Sequence, residues 1–204
     1  MGGREINTGH LTSRGAQAVR RGRKEPSGKR IRTFMKGQAV LFLLVPMEIV
    51  KIPRMEKEEY DALISEGYVS RIAFCGEKYP YIAPFLYVFD GNFMYFLSTR
   101  YGKKIRYFRS NPYVSVEVER YSQDLSCYMF VTLQGRLEEV EDSIEKKRIR
   151  EKFVAMIKKK RLSKNILAAL GHLPQEPIET IATEERSILW RLTGVTDITA
   201  LQNM

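Results

Sequence analysis

The residues best suited to chemistry lie together in the stretch Phe96-Leu97-Ser98-Thr99-Arg100-Tyr101-Gly102-Lys103-Lys104. Two hydroxyls, Ser98 and Thr99, end a strand-like run, and after a short polar loop a helix opens with Lys103 and Lys104. Helix N-terminal amides carry a partial positive charge, and Gly102 lets the backbone approach a ligand closely. The hydroxyls and ammonium groups add directional donors for a phosphate dianion. Lysines oppose the helix dipole at this end, a local cost that a bound anion would offset. By itself the pattern is weak, since a solvated basic turn is the more frequent use of such residues.

Other reactive residues are few. The only histidines, His10 and His172, stand far apart, so a His-rich metal site or a Ser/His/Asp hydrolase has almost no raw material. Cys75 and Cys127 make neither a disulfide framework nor a metal-ligand spacing, and a reducing, cytoplasmic location is expected. No catalytic residue can be named and no metal site is expected. Any enzymology must therefore come from a cofactor.

The elements that position this stretch follow from periodicity. Met55 to Glu66 reads as a short helix with Met55, Tyr60, Leu63 and Ile64 on one face and Gly67 as its stop. Strands are predicted at Tyr68–Phe74, Tyr81–Phe89 and Phe93–Ser98, with turns at Gly76-Glu77-Lys78 and Asp90-Gly91-Asn92. A helix over Lys103–Ser110 is ended by Asn111-Pro112, and strands follow at Tyr113–Glu119 and Cys127–Val140. Asp142 caps a long helix from Ser143 to about Arg161, with Ile144, Ile149, Phe153, Met156 and Ile157 recurring near helical spacing. Its Lys158-Lys159-Lys160-Arg161 end reads as a solvated basic terminus. Ile166 to Leu170 is a further helical turn, Gly171 to Pro177 a linker, and Ser187–Leu192 a last strand with Ile188, Trp190 and Leu192 sharing a face. Six antiparallel strands with a helix between the third and fourth predict a mainly β fold with helices (α+β), a Greek-key split barrel.

The 204-residue chain carries a net charge of +10, unevenly placed. Residues 1–46 hold ten Lys or Arg against Glu5 and Glu25, which is +8 of the total. The rest is nearly neutral, so nucleic-acid binding is not expected of the folded part. Residues 1–36 show no hydrophobic period, and 1–46 are expected to be a disordered tail or an extension upstream of a start at Met47, leaving 47–204 as one domain. Gln38 to Ile52 reads as an extended apolar segment. Its longest purely apolar run, Ala39–Val45, is too short to span a bilayer, and no membrane association is expected.

Taken together, the run from Tyr79 to Glu119 resembles the pyridoxamine-phosphate-oxidase-like family of FMN-binding split barrels, nearest its nitroimidazole-resistance branch. The resemblance is carried by Tyr79 to Asn92, Met94-Tyr95-Phe96, Ser98-Thr99, Gly102-Lys103-Lys104, Asn111-Pro112 and Val114-Ser115-Val116. It continues through Val131 to Arg136 and on toward Trp190. It implies FMN as cofactor, a homodimer with flavin sites at the interface, and oxidoreductase chemistry on a small-molecule substrate. In the family the counterparts of Leu97 and Ser98, and of Lys103 and Lys104, lie along the phosphate and ribityl chain, where Thr99 is a candidate by its hydroxyl alone. In the family the strand corresponding to Ala83 to Val88, with Ala83, Pro84 and Phe85 as its candidate contacts here, runs beside the isoalloxazine ring. The counterpart of Trp190 reaches the flavin from the second subunit, while a core tryptophan is the alternative at that position. Tyr87, Tyr95 and Phe96 read as core or interface residues. Ala83 stands where the family has an arginine, Phe130 where it has a glutamine, and Lys103 where the nitroimidazole-resistance branch has a histidine. True pyridoxamine-phosphate oxidases carry an Arg-x-His segment near the carboxyl end, and no histidine follows His172 here. The alternatives are a deazaflavin- or haem-binding protein on the same fold, or a non-enzymatic flavin-binding module.

Overall fold

A computed structural model describes residues 51–203, and the predicted tail and most of the apolar segment before Ile52 lie outside the described residues. In chain order the elements are α1 (Lys57–Glu66), β1 (Val69–Phe74), β2 (Tyr81–Phe89), β3 (Met94–Thr99), α2 (Lys103–Ser110), β4 (Tyr113–Tyr121), β5 (Tyr128–Glu139), α3 (Ser143–Lys159), α4 (Ile166–Ala169), α5 (Thr180–Thr183) and β6 (Ser187–Asn203). The strands form a closed antiparallel barrel in the order β1-β2-β3-β6-β5-β4. β6 is thus inserted between β3 and β5, and β4 returns to pair with β1. Closure gives every strand a partner on each side over part of its length, while the far ends of β4 and β6 run on paired with β5 alone among the strands.

Strand alternation builds two apolar layers from the same strands. Phe85 and Tyr87 of β2, Met94 and Phe96 of β3, and Ile188, Trp190 and Leu192 of β6 belong to the interior cluster. Their neighbours Leu86, Val88, Tyr95, Leu97 and Leu189 face outward under Ile149, Phe153 and Ile157 of α3, Leu167 of α4 and Ile181 of α5. β3 is consequently buried on both faces along its whole length. That is why its first four residues, Met94 to Leu97, read as a continuous apolar run rather than an alternation.

The caps follow local chemistry. The Asp142 side chain accepts the Glu145 backbone N–H at 2.7 Å and starts α3. Glu56 and Glu59 form a reciprocal capping box at the start of α1. Tyr87 donates its hydroxyl to the Ile64 carbonyl at 2.7 Å and fixes α1 to the barrel.

Two expectations are corrected. β6 continues eleven residues past the expected end at Leu192, because its second half is held by a backbone ladder to β5 from Gln134↔Asp197 to Tyr128↔Asn203 rather than by burial. α5 lies between the expected linker and the last strand, where the sequence predicts no element. Ile144 is 78% exposed instead of joining the buried stripe. It stands five residues before Ile149, which at 3.6 residues per turn turns it about 140° away from the face of Ile149, Phe153 and Ile157.

Candidate functional site

Where β3 ends, the outer barrel face, α2 and the α4 segment enclose an open cleft of about 370 Å³. One wall is made by Val69, Pro84, Leu86 and Leu97 from the strands, the opposite wall by Ile166 and Ala168 to Leu170. Thr99 and Lys104 sit with Phe85 along its lining as its polar residues, the Thr99 hydroxyl donating to the Tyr101 carbonyl at 3.4 Å. The cleft is therefore apolar along most of its length and cationic at one place.

Five of the nine residues expected at a cofactor site meet here: Pro84, Phe85, Leu97, Thr99 and Lys104. The other four are elsewhere. Ala83 is buried in the barrel interior. Ser98 is buried, outside the cleft lining, with its hydroxyl donating to the Thr99 carbonyl at 3.0 Å. Successive strand residues point to opposite faces, so these two hydroxyls cannot act as one pair of donors. Lys103 opens α2 but is exposed and outside the lining. Trp190 is fully buried in the barrel, its ring centroid 4.8 Å from Phe108 and 5.9 Å from Phe85, so in this chain it is a core residue. The wall from Ile166 to Leu170 was missed by the sequence reading, since nothing local links it to strands some seventy residues earlier. Its one signal is the pair Ala168-Ala169, small side chains that leave room beside a helical turn.

The cationic end has a defined construction. Gly102, the residue before α2, has φ of 95° and ψ of −177°, a conformation that side chains other than glycine's rarely adopt. No side chain caps the helix start, and no acidic residue lies in its first turn. The first amides of α2 are left to solvent or to an anion. Burial pulls the Lys104 ammonium below its ordinary pKa. Its Nζ lies 5.8 Å from the Phe85 ring centroid. Among the described residues neither Lys103 nor Lys104 forms an ion pair; Arg100 reaches Glu185 at 3.9 Å. A partly desolvated lysine without a carboxylate partner is what a phosphate site requires, because the ligand then supplies the compensating charge.

The described residues contain no cluster of three or more His, Cys, Asp or Glu able to hold a metal ion. No helix among them is long and apolar enough to cross a membrane.

Comparison with known proteins places the chain in a family. A family model described as pyridoxamine 5'-phosphate oxidase matches residues 56–187, and the chain belongs to that family. A curated relative, an uncharacterised protein of Rhizobium meliloti (strain 1021), is 34% identical over 86 residues, covering 42% of this chain. The match spans 56% of that relative's length. Among solved structures, a FAD-binding protein of Mesorhizobium loti superposes with a TM-score of 0.57 at 23% identity, over 76% of this chain and 100% of its own. A candidate 5-nitroimidazole antibiotic resistance protein of Bacteroides thetaiotaomicron gives 0.51 at 16% identity, over 74% and 90% of the two chains. These structural likenesses establish the shared split-barrel fold.

Proposed function

We propose that the chain is a flavoprotein that holds FMN in the cleft between the outer barrel face and α4. On this reading it is an oxidoreductase acting on a small molecule. The observation that carries the proposal is Lys104, half-buried and without an ion-pair partner among the described residues, beside Thr99 and the uncapped start of α2 in an otherwise apolar cleft. The donor set fits a phosphate, with Lys104 and Thr99 as direct ligands and Lys103 as a solvent-side charge. Pro84, Leu86, Leu97 and Leu170 offer apolar surface to a planar ring system and exclude water from one of its faces. A bound flavin supplies hydride and single-electron transfer; the chain's own residues bind it, orient it and shield it. The FAD-binding relative in Mesorhizobium loti supports a flavin.

A second copy of the chain completes the site in this proposal. The outer barrel face beside the cleft leaves Val69 and Ile82 exposed, and these are the side chains a homodimer would cover.

The test is titration of the purified full chain with FMN, riboflavin and haem, followed by visible absorption and calorimetry. FMN binding with a perturbed flavin spectrum, at least roughly tenfold tighter than riboflavin, is the expected result. Equal affinities for FMN and riboflavin, or a haem Soret band at matched loading, would overturn it.

A further inference from the structure

A second cleft, about 620 Å³, lies against the later residues of α2. Its lining includes Gly76, Lys78 and Tyr79 from the β1–β2 turn, and Arg106, Tyr107 and Asn111 from α2 and its end. α2 thus contributes to both clefts, Lys104 to the first and Arg106 with Tyr107 to the second.

The second cleft combines flat rings with fixed charge. Tyr107 stacks on Tyr81 with centroids 5.6 Å apart and planes 10° from parallel. Tyr79 is 67% exposed, with the Lys78 Nζ 5.3 Å from its ring centroid. Neither Lys78 nor Arg106 forms an ion pair among the described residues, and Glu77 is the only carboxylate in the lining. The local balance is one positive charge, which a monoanion neutralises and a phosphate dianion overshoots. The wall is also built tightly. A Cβ at Gly76 would lie 2.2 Å from the Tyr79 carbonyl oxygen and 2.5 Å from the Tyr107 ring, so the turn is pressed directly onto that ring. Arginine presents a planar fork that matches a carboxylate, and tyrosine rings accept a second aromatic by offset stacking.

We propose that this cleft is a binding site for a small aromatic carboxylate, with Arg106 and Lys78 holding the carboxylate and Tyr79 and Tyr107 contacting the ring. It is a site separate from the FMN cleft, and the inference stands whether or not FMN binds there.

Benzoate is a suitable probe, titrated into the full chain with backbone amide resonances as the readout, beside benzyl alcohol and inorganic phosphate. Saturable benzoate binding with shifts at Gly76, Tyr79 and Tyr107 is expected, with the alcohol and phosphate each at least roughly tenfold weaker. Arg106→Gln and Lys78→Gln should each weaken benzoate by roughly tenfold. Tyr79→Ala should weaken it too, and all three should leave the far-ultraviolet spectrum and the FMN titration as in the parent. Benzoate affinity unchanged in both charge variants, shifts centred on Thr99 and Lys104, or phosphate binding as tightly as benzoate would each overturn the proposal. Loss of FMN binding in the parent with benzoate binding retained would remove the flavin reading alone.

Discussion

Arg150, in the middle of α3, grips Ser187, the first residue of β6, twice. Its Nη1 donates to the Ser187 hydroxyl at 3.0 Å and its Nη2 to the Ser187 carbonyl at 2.6 Å. Nη1 also donates to the Ile181 carbonyl at 3.1 Å, so one side chain ties α3 to α5 and to the start of the last strand. Burial draws the guanidinium below its usual pKa, and Glu185 partly compensates. Arginine nonetheless remains charged in proteins.

Replacing it should be costly. Arg150→Met leaves two carbonyls and a hydroxyl without their donor and should destabilise the chain by about 3 kcal/mol. Arg150→Lys should recover little of this, since one ammonium cannot reproduce the fork. Urea unfolding of the three proteins, compared at constant slope, is the measurement.

The two lysines that open α2 should separate. Lys104 lines the cleft and Lys103 does not, so Lys104→Ala should weaken FMN by roughly tenfold or more, and Lys103→Ala by only a few-fold. Because lysines at a helix start oppose the dipole, the ligand-free variants should melt at or slightly above the parent. Calorimetric titration with parallel melting curves checks both statements, and equal losses from the two variants would contradict the assignment.

The seat of α1 should fail in two distinguishable ways. Tyr87→Phe removes the hydroxyl that the Ile64 carbonyl accepts and should cost about 1 kcal/mol. At Gly67 an added Cβ would lie 2.2 Å from the same Tyr87 hydroxyl oxygen. Gly67→Ala should therefore destabilise the parent, and much less so a chain that already carries Tyr87→Phe. A double-mutant cycle in urea reads this coupling.

Stability should fall in acid through Asp90. Its carboxylate accepts the Asn92 and Phe93 amides at 3.1 and 3.0 Å, the Tyr95 hydroxyl at 3.2 Å and Arg148 Nη2 at 3.2 Å. Burial alone would raise its pKa, but these hydrogen bonds together prevail and hold it below the ordinary value of 3.8. A carboxyl with a lower pKa folded than unfolded contributes stability above its unfolded pKa, and loses it as pH falls through the folded one. Tyr95, pushed up to about 12 chiefly by burial and then by its bond to Glu145, stays protonated throughout this window. Urea midpoints should drop as pH falls below about 4. Asp90→Asn should start lower at neutral pH and lose part of that acid slope.

How far the fold was legible depended on whether its signal was local. The β2–β3 hairpin and the strand-to-helix junction at Gly102 could be read because turn residues and apolar periods sit within a dozen positions. The second half of β6 could not, since Gly194 to Thr199 is exposed and its place is set by pairing with β5. At the site, Thr99 and Lys104 were legible from type and spacing. The reading of Ser98 with Thr99 as joint donors overlooked the alternation that turns them to opposite faces. The wall of Ile166 to Leu170 is a tertiary juxtaposition, and no sequence pattern ties it to β3.

The cleft has one stiff side and one yielding side, and this sets how a ligand should enter and leave. α2 is wedged by aromatic contacts into the barrel, Phe108 against Trp190 and Tyr107 against Tyr81, so the cationic end moves only if the core moves. α4 is a single turn anchored by the buried Leu167 and, just past its end, Leu170, and the backbone N–H groups of Ile166, Leu167, Ala168 and Leu170 each donate to a carbonyl three residues back. Local opening should start there, at a small fraction of the global unfolding free energy. The phosphate end of a ligand would then be the last part released, and the lifetime of the complex would follow how often one short turn lifts rather than how stable the barrel is.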